Sequence, residues 1–312
     1  MSPDGILRDL ARLWQDLGAG HEGGSDGVLR ACAMTLIVFD HGEEVNDTLA
    51  ALMPEHPARA IVVRVAAAGP PAFEARVSAD CRRPFGQRRQ ICCERIEIET
   101  SEAALPDLPA FLLPLAAPDL PVMLWFRNPR LFASPHYEAL SALAAKVIAD
   151  SGPLPGGLRL MRERARVGPV LADLAWTRLT RWRALVSQMF ENRAHLEQLP
   201  RVNELRITRA GAASWYLAAW LLESVPDARV VFEDPDPQLR RVALLGPGLE
   251  FSITAGGDGC AEILTPSGAQ RTSLPAPSEY LLLREELGIA SRDPVFEKTL
   301  EAALRLMYLH TE

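Results

Sequence analysis

Two groups of arginines carry the densest chemistry in the chain. Arg82, Arg83, Arg88 and Arg89 fall within eight residues around one aromatic, Phe85. Four guanidiniums in a loop suit bidentate contacts with carboxylate or phosphate; a solvated basic loop is the competing reading. The second group is Trp176-Thr177-Arg178-Leu179-Thr180-Arg181-Trp182-Arg183. Helical spacing sets Trp176, Leu179, Trp182, Val186 and Met189 on one apolar stripe and Arg178 with Arg181 on another face. Tryptophan beside arginine is the composition of protein interface hot spots. Packing in a core accounts for the same tryptophans equally well.

The remaining reactive residues argue against catalysis. Lysine occurs only at Lys146 and Lys298, so a Schiff base or a phosphate-loop lysine has two candidates. Both lie in helical-looking stretches, 137–148 and 294–307, and are expected to be solvated. Gly18, Gly20 and Gly23 form a G-x-G-x-x-G, but a helix precedes them and a strand follows, the reverse of what pyrophosphate binding needs. G-x-x-x-x-G-K, G-x-S-x-G and H-E-x-x-H are absent. The six histidines are scattered; His41 beside Asp40, and His136 beyond Arg127 and Asn128, are placed to share the carboxyl edge of one sheet, where open α/β proteins bind ligands. A sugar-phosphate or nucleotide site there is the alternative function. No cofactor, metal or catalytic residue is expected.

Five cysteines are an odd number without a Cys-x-x-Cys pair, and in a cytoplasmic protein they should be mostly reduced. Cys92 and Cys93 are neighbours in a strand-like run, so their side chains point to opposite faces and would not grip one metal. Buried small hydrophobes is the default reading. Cys81, in a loop ahead of Arg82 and Arg83, has the thiolate most favoured by charge.

The elements that must position these residues follow from the apolar pattern. With 312 residues and 48% hydrophobic content, two domains are expected, and disorder or a small disulfide scaffold is excluded. Forty acidic against 33 basic residues, a net charge of −7, exclude a sequence-wide basic field for nucleic acid or an anionic membrane. Residues 1–20 read as an amphipathic helix and not a signal peptide, and no apolar run approaches the roughly 20 residues that cross a bilayer; the expectation is a soluble cytoplasmic protein.

Apolar strands at 34–39, 60–66, 91–100, 121–126 and 147–150 alternate with helices at 46–53, 108–115 and 137–145, with a charged loop ahead of residue 91. This pattern predicts a mostly parallel, Rossmann-like sheet with helices on both faces. Ser151 to Gly157 is the strongest breaker cluster, placing the domains at 1–152 and 153–312. The second half reads as helix over 170–198, strand at 204–208, an apolar helix at 212–223, four short strands between 229 and 264, and two closing helices. It is expected to be an α+β domain with antiparallel strands and flanking helices.

Specific segments carry a resemblance. Glu55-His56-Pro57-Ala58-Arg59-Ala60, Ile91-Cys92-Cys93-Glu94-Arg95-Ile96, Pro118-Asp119-Leu120-Pro121-Val122, Asp173 to Arg183 and the apolar helix Trp215 to Leu222 together resemble the OpcA family, the glucose-6-phosphate dehydrogenase assembly proteins. The resemblance spans roughly residues 30 to 310. Trp125-Phe126 stands where the family pattern has two adjacent tryptophans. The resemblance implies a cytoplasmic, non-enzymatic protein that binds glucose-6-phosphate dehydrogenase, promotes its active oligomer as an allosteric activator, and supports NADPH supply through the oxidative pentose phosphate pathway. Trp125 therefore joins Arg82, Arg83, Arg88, Arg89, Arg178, Arg181 and Trp182 as a candidate partner contact. Thiol modulation in some cyanobacterial members makes Cys81, Cys92 and Cys93 the redox candidates.

Overall fold

The computed structural model describes residues 1–19, 28–42, 45–83, 90–166 and 168–310. In chain order the first half runs α1 (Pro3–Ala19), β1 (Val28–Arg30), β2 (Met34–Asp40), α2 (Asn46–Leu52), β3 (Ala58–Ala66), β4 (Glu74–Arg82), β5 (Gln90–Ser101), α3 (Leu108–Leu112), β6 (Val122–Phe126), α4 (Pro129–Ala133), α5 (Tyr137–Ser141) and β7 (Lys146–Ala149). The second half runs α6 (Gly157–Ala165), β8 (Val170–Asp173), α7 (Leu174–Thr177), α8 (Thr180–Met189), α9 (Arg193–Leu196), β9 (Glu204–Arg209), α10 (Gly211–Leu222), β10 (Arg229–Pro235), β11 (Arg241–Gly246), β12 (Leu249–Ala255), β13 (Cys260–Thr265), β14 (Gly268–Ser273), α11 (Glu279–Leu287) and α12 (Pro294–Leu309).

Two compact units result. The first takes Met1–Ala149, Ala165–Ala172 and Glu279–Ser291; the second takes Asp150–Arg164, Asp173–Ser278 and Arg292–Glu312.

In the first unit the sheet order is β1-β5-β3-β2-β6-β7-β8, with β4 added to β5. The pairings of β1 with β5, β5 with β3, β3 with β2, β2 with β6 and β6 with β7 are parallel; β4 with β5 is antiparallel. Chain progression reverses direction between β2 and β6, the topological switch point of a doubly wound sheet. All seven residues of β2 are buried, so this strand is covered on both faces, as parallel strands are. Phe39 and Phe126 meet across that pair with centroids 4.8 Å apart, and Phe132 and Tyr137 from α4 and α5 pack on Phe126.

In the second unit a six-stranded sheet has the order β10-β9-β11-β12-β13-β14. Its β10–β9 pairing is parallel and the rest antiparallel. The apolar helix α10 packs against α12, and its Trp215 lies on Phe232 of β10. Among the described residues no helix is long and apolar enough to cross a membrane.

Several expectations are corrected. The charged loop ahead of residue 91 contains strand β4, whose inward positions are the small residues Ala75, Val77, Ala79 and Cys81; a strand with so little apolar bulk leaves a weak periodic signal. The stretch read as helix from residue 170 opens with β8 and turns helical at Leu174, where the Asp173 carboxylate caps α7 by accepting from Ala175 N at 2.9 Å. Helix α6 and strand β14 are additional elements. Lys146 is not solvated: it opens β7 and is 2% exposed.

Candidate functional site

The carboxyl edge at the switch point is where an open α/β sheet takes a ligand, and in this chain that edge is filled by its own charges. Asp40 ends β2 and is fully buried. Arg127 follows β6 and donates from Nη1 to Asp40 Oδ1 at 2.8 Å and from Nε to Glu279 Oε1, at the start of α11, at 3.0 Å. Arg64 of β3 approaches Asp40 Oδ2 to 3.4 Å, an ion-pair distance, although that oxygen accepts no hydrogen bond. Burial alone lowers the pKa of Arg127, yet its hydrogen bonds to Asp40 and Glu279 carry it above the usual value. Asn128 is used to cap α4, accepting from Arg130 N at 3.0 Å, and His41 is exposed while His136 is half-buried. The structure thus brings Asp40 and Arg127 together as a closed ion pair, with Arg64 and Glu279 as members the sequence did not reveal.

The far end of α11 is held as firmly. Lys146 Nζ donates to the Glu286 carbonyl at 2.6 Å, the Glu286 carboxylate at 2.7 Å and the Ile289 carbonyl at 2.8 Å. An ammonium has three donors, and all three are satisfied at a helix C-terminus, where a positive charge is favoured.

The Trp-Arg motif is also internal. Trp176 and Trp182 are 3% and 7% exposed; Trp176 Nε1 donates to Asp293 at 3.1 Å, its ring meets Tyr216 and Phe296, and the Arg183 guanidinium stacks 3.6 Å over it. Arg178 is held by two hydrogen bonds to Asp150, at 2.8 and 2.6 Å. Trp125 is 1% exposed. Trp125 and Trp182 therefore fill cores and present no ring to a partner, a correction to their selection as contacts: large apolar bulk looks alike in a core and in an interface. Arg181, Arg82 and Arg83 are exposed. Arg88 and Arg89 lie outside the described residues, as do Phe85, Gly20, His21 and Gly23.

Beneath this motif Asp173 is completely buried. Its carboxylate accepts from Ser151 N at 3.0 Å and from Tyr216 Oη at 2.7 Å. Burial, reinforced by the nearby Asp150 charge, raises its pKa from 3.8 to about 6. Burial beside that carboxylate pushes the Tyr216 hydroxyl well above its ordinary range.

The cysteines depart furthest from expectation. Cys81 lies in β4 directly opposite Cys92 of β5, and the two form a disulfide; expected to be reduced, they are oxidised here because antiparallel register brings their Cα atoms to 4.1 Å. Cys93, on the opposite face, is buried, and desolvation raises its pKa, which disfavours the reactive thiolate. Among the described residues no three His, Cys, Asp or Glu side chains are grouped to hold a metal ion.

Fold and edge together define an α/β protein with a doubly wound parallel sheet and a second, mixed sheet, its ligand edge closed by internal ion pairs. Residues 50–166 match the family model of the glucose-6-phosphate dehydrogenase subunit N-terminal domain, and residues 169–300 that of the C-terminal domain. The chain belongs to this family, the OpcA-type glucose-6-phosphate dehydrogenase assembly proteins.

Curated relatives named OxPP cycle protein OpcA come from Nostoc punctiforme, 28% identical over 203 residues, and from Synechocystis sp., 26% identical over 175 residues. The matches take in 62% and 53% of this chain but only 42% and 35% of those proteins. Among solved structures, a dehydrogenase from Thermotoga maritima aligns over 88% of this chain and 94% of its own with a TM-score of 0.45 and 10% identity. A dehydrogenase from Clostridium difficile aligns over 89% and 98% with a TM-score of 0.43 and 8% identity. Likeness at that level bears on neither chemistry nor substrate.

Proposed function

We propose that this chain is a non-catalytic assembly factor that binds glucose-6-phosphate dehydrogenase in the cytoplasm, promotes its active oligomer and so supports NADPH supply through the oxidative pentose phosphate pathway. The observation that carries this reading is the pair of family domains, N-terminal then C-terminal, in one chain. The filled carboxyl edge supports it: Asp40 and Glu279 already engage Arg127 where a nucleotide's phosphates would need unopposed donors. An activator of this kind prefers the active conformation of its partner and shifts that population. Arg82, Arg83 and Arg181 are the proposed contacts, with Arg178 contributing its outer edge. Copurification with the cognate dehydrogenase, and its specific activity with and without this chain, test the reading; no binding and no change in activity reject it.

The disulfide favours a second element of regulation. Cys81 precedes Arg82, the last residue of β4, and Arg83 beyond it, so reducing it removes the covalent tie beside two proposed contacts. Its expected mark is a changed effect on the dehydrogenase after reduction with dithiothreitol, lost in Cys81→Ser. A Cys81→Ser variant that keeps the response removes this element.

A further inference from the structure

The two faces of the sheet in the second unit differ. Along its six strands side chains alternate between two faces. The inner face holds Leu205, Ile207, Val242, Leu244 and Phe251, all buried, and receives Trp215 from α10 on Phe232, and Phe190 and His195 on Phe251. The register threads one continuous row across the outer face: Val231, Arg206, Ala243, Ser252, Leu264 and Ala269. Within that row Arg206 is the lone charge; Ala243 and Ser252 at the centre are 0% and 4% exposed, Val231 is half-buried, and Leu264 is 36% exposed.

Charged rows flank it. Glu204 pairs with Arg206 and Arg229, each at 2.6 Å, and Arg241 pairs with Glu233 at 2.7 Å and Glu250 at 3.1 Å.

We infer that this outer face is where a second copy of the chain docks, sheet against sheet. An antiparallel sheet can face water on one side, so exposure alone settles nothing; charge and area select the occupant. On this face Arg206, Arg229, Arg241 and Arg271 stand against Glu204, Glu233, Glu250, Glu262 and Asp258, the ion-pair partner of Arg271, so the face lies within one charge of neutral while the whole chain carries −7. Two like chains repel over most of their surface and do not repel here. The pairs of Arg206, Arg229 and Arg241 form within one chain, so covering them leaves those charges compensated. A face that pairs with itself around a two-fold axis must be balanced in this way.

Six strands about 4.8 Å apart and about six residues long give a plan area of roughly 500 Å² per copy, or about 1,000 Å² in total, the lower bound for a specific interface. The dimer is accordingly reversible, with a dissociation constant on the order of micromolar. It involves no residue assigned above to the dehydrogenase and does not depend on that partner.

Sedimentation equilibrium of the full chain between about 1 and 100 μM tests this. The weight-average mass is expected to rise from 34.2 kDa toward twice that value. Leu264→Arg and, separately, Val231→Glu should each weaken the dimer roughly tenfold or more, with unchanged circular dichroism and thermal midpoint. Leu196→Arg, at a residue 51% exposed on α9, should leave the mass curve unaltered. A wild-type chain that stays monomeric throughout overturns the inference, as does a dimer indifferent to both face variants. Loss of dehydrogenase binding in Leu264→Arg, with the wild type monomeric alone, assigns the face to that enzyme and likewise overturns self-pairing.

Discussion

The carboxyl edge of the first sheet and the outer face of the second are built from the same groups, arginine against carboxylate, in opposite surroundings. At the edge, Asp40 is 0% exposed and the Arg127 side chain 12%; on the face, the Arg229 and Arg206 side chains are 73% and 48% exposed. Charges taken out of water must satisfy one another, and removing one partner strands the other at high cost. Charges left in water contribute little, and remain available to something that approaches. The difference assigns a structural role to the charges at the place where an open α/β sheet commonly works, and under the proposed function leaves recognition to exposed arginines.

That contrast can be broken by substitution. The largest effect is expected from Lys146→Ala and Arg127→Ala, each of which strands buried carboxylate oxygens; each should lower the unfolding free energy in urea by about 3–5 kcal/mol. A loss within experimental error for Arg127→Ala would mean that the edge is wet and open to ligand.

Asp173 should give a smaller, pH-dependent effect. Its folded pKa of about 6 exceeds the ordinary 3.8, so the folded state holds the proton more tightly than the unfolded chain. Stability from this group is complete below pH 4 and lost as pH rises through 6, about 3 kcal/mol in all. Asp173→Asn should abolish that slope, read as denaturation midpoints at pH 4, 5, 6 and 7. An identical slope in the variant would refute the assignment.

Reduction of Cys81–Cys92 opens a loop with a separation of 11 residues and should cost about 2–3 kcal/mol, measured as the shift in thermal midpoint with dithiothreitol and absent in Cys81→Ser. The smallest effect on stability belongs to exposed arginines. Arg181→Glu should leave the denaturation curve unchanged while weakening dehydrogenase binding in a pull-down titration; an unfolded variant, or unaltered binding, would move Arg181 out of the contact set.

Much of this architecture was legible in the residues. β2 and β6 are apolar runs too short for helices, and α10 is apolar all round, so periodicity and length identified them. Strand β4 escaped because its inward residues are small, and with it went the Cys81–Cys92 pair, which exists only once β4 lies antiparallel to β5. Glu279 stands 152 residues from Arg127, and a contact so remote leaves no mark in either local pattern. Lys146 was assigned to a helical stretch because apolar spacing around it fits both periods; its burial depends on α11 returning from the far end of the chain. Trp125 and Trp182 were visible as large aromatics, but which side of the surface they occupy is decided by tertiary packing.

The central claim is that this chain works by binding, with its ligand edge closed. The most direct test titrates the purified chain into the cognate glucose-6-phosphate dehydrogenase and follows specific activity together with the mass of the enzyme assembly by light scattering. A saturable rise in activity accompanied by a heavier, mixed assembly is the predicted result. An enzyme whose mass and activity stay constant across the titration, at concentrations up to about 100 μM, would contradict it.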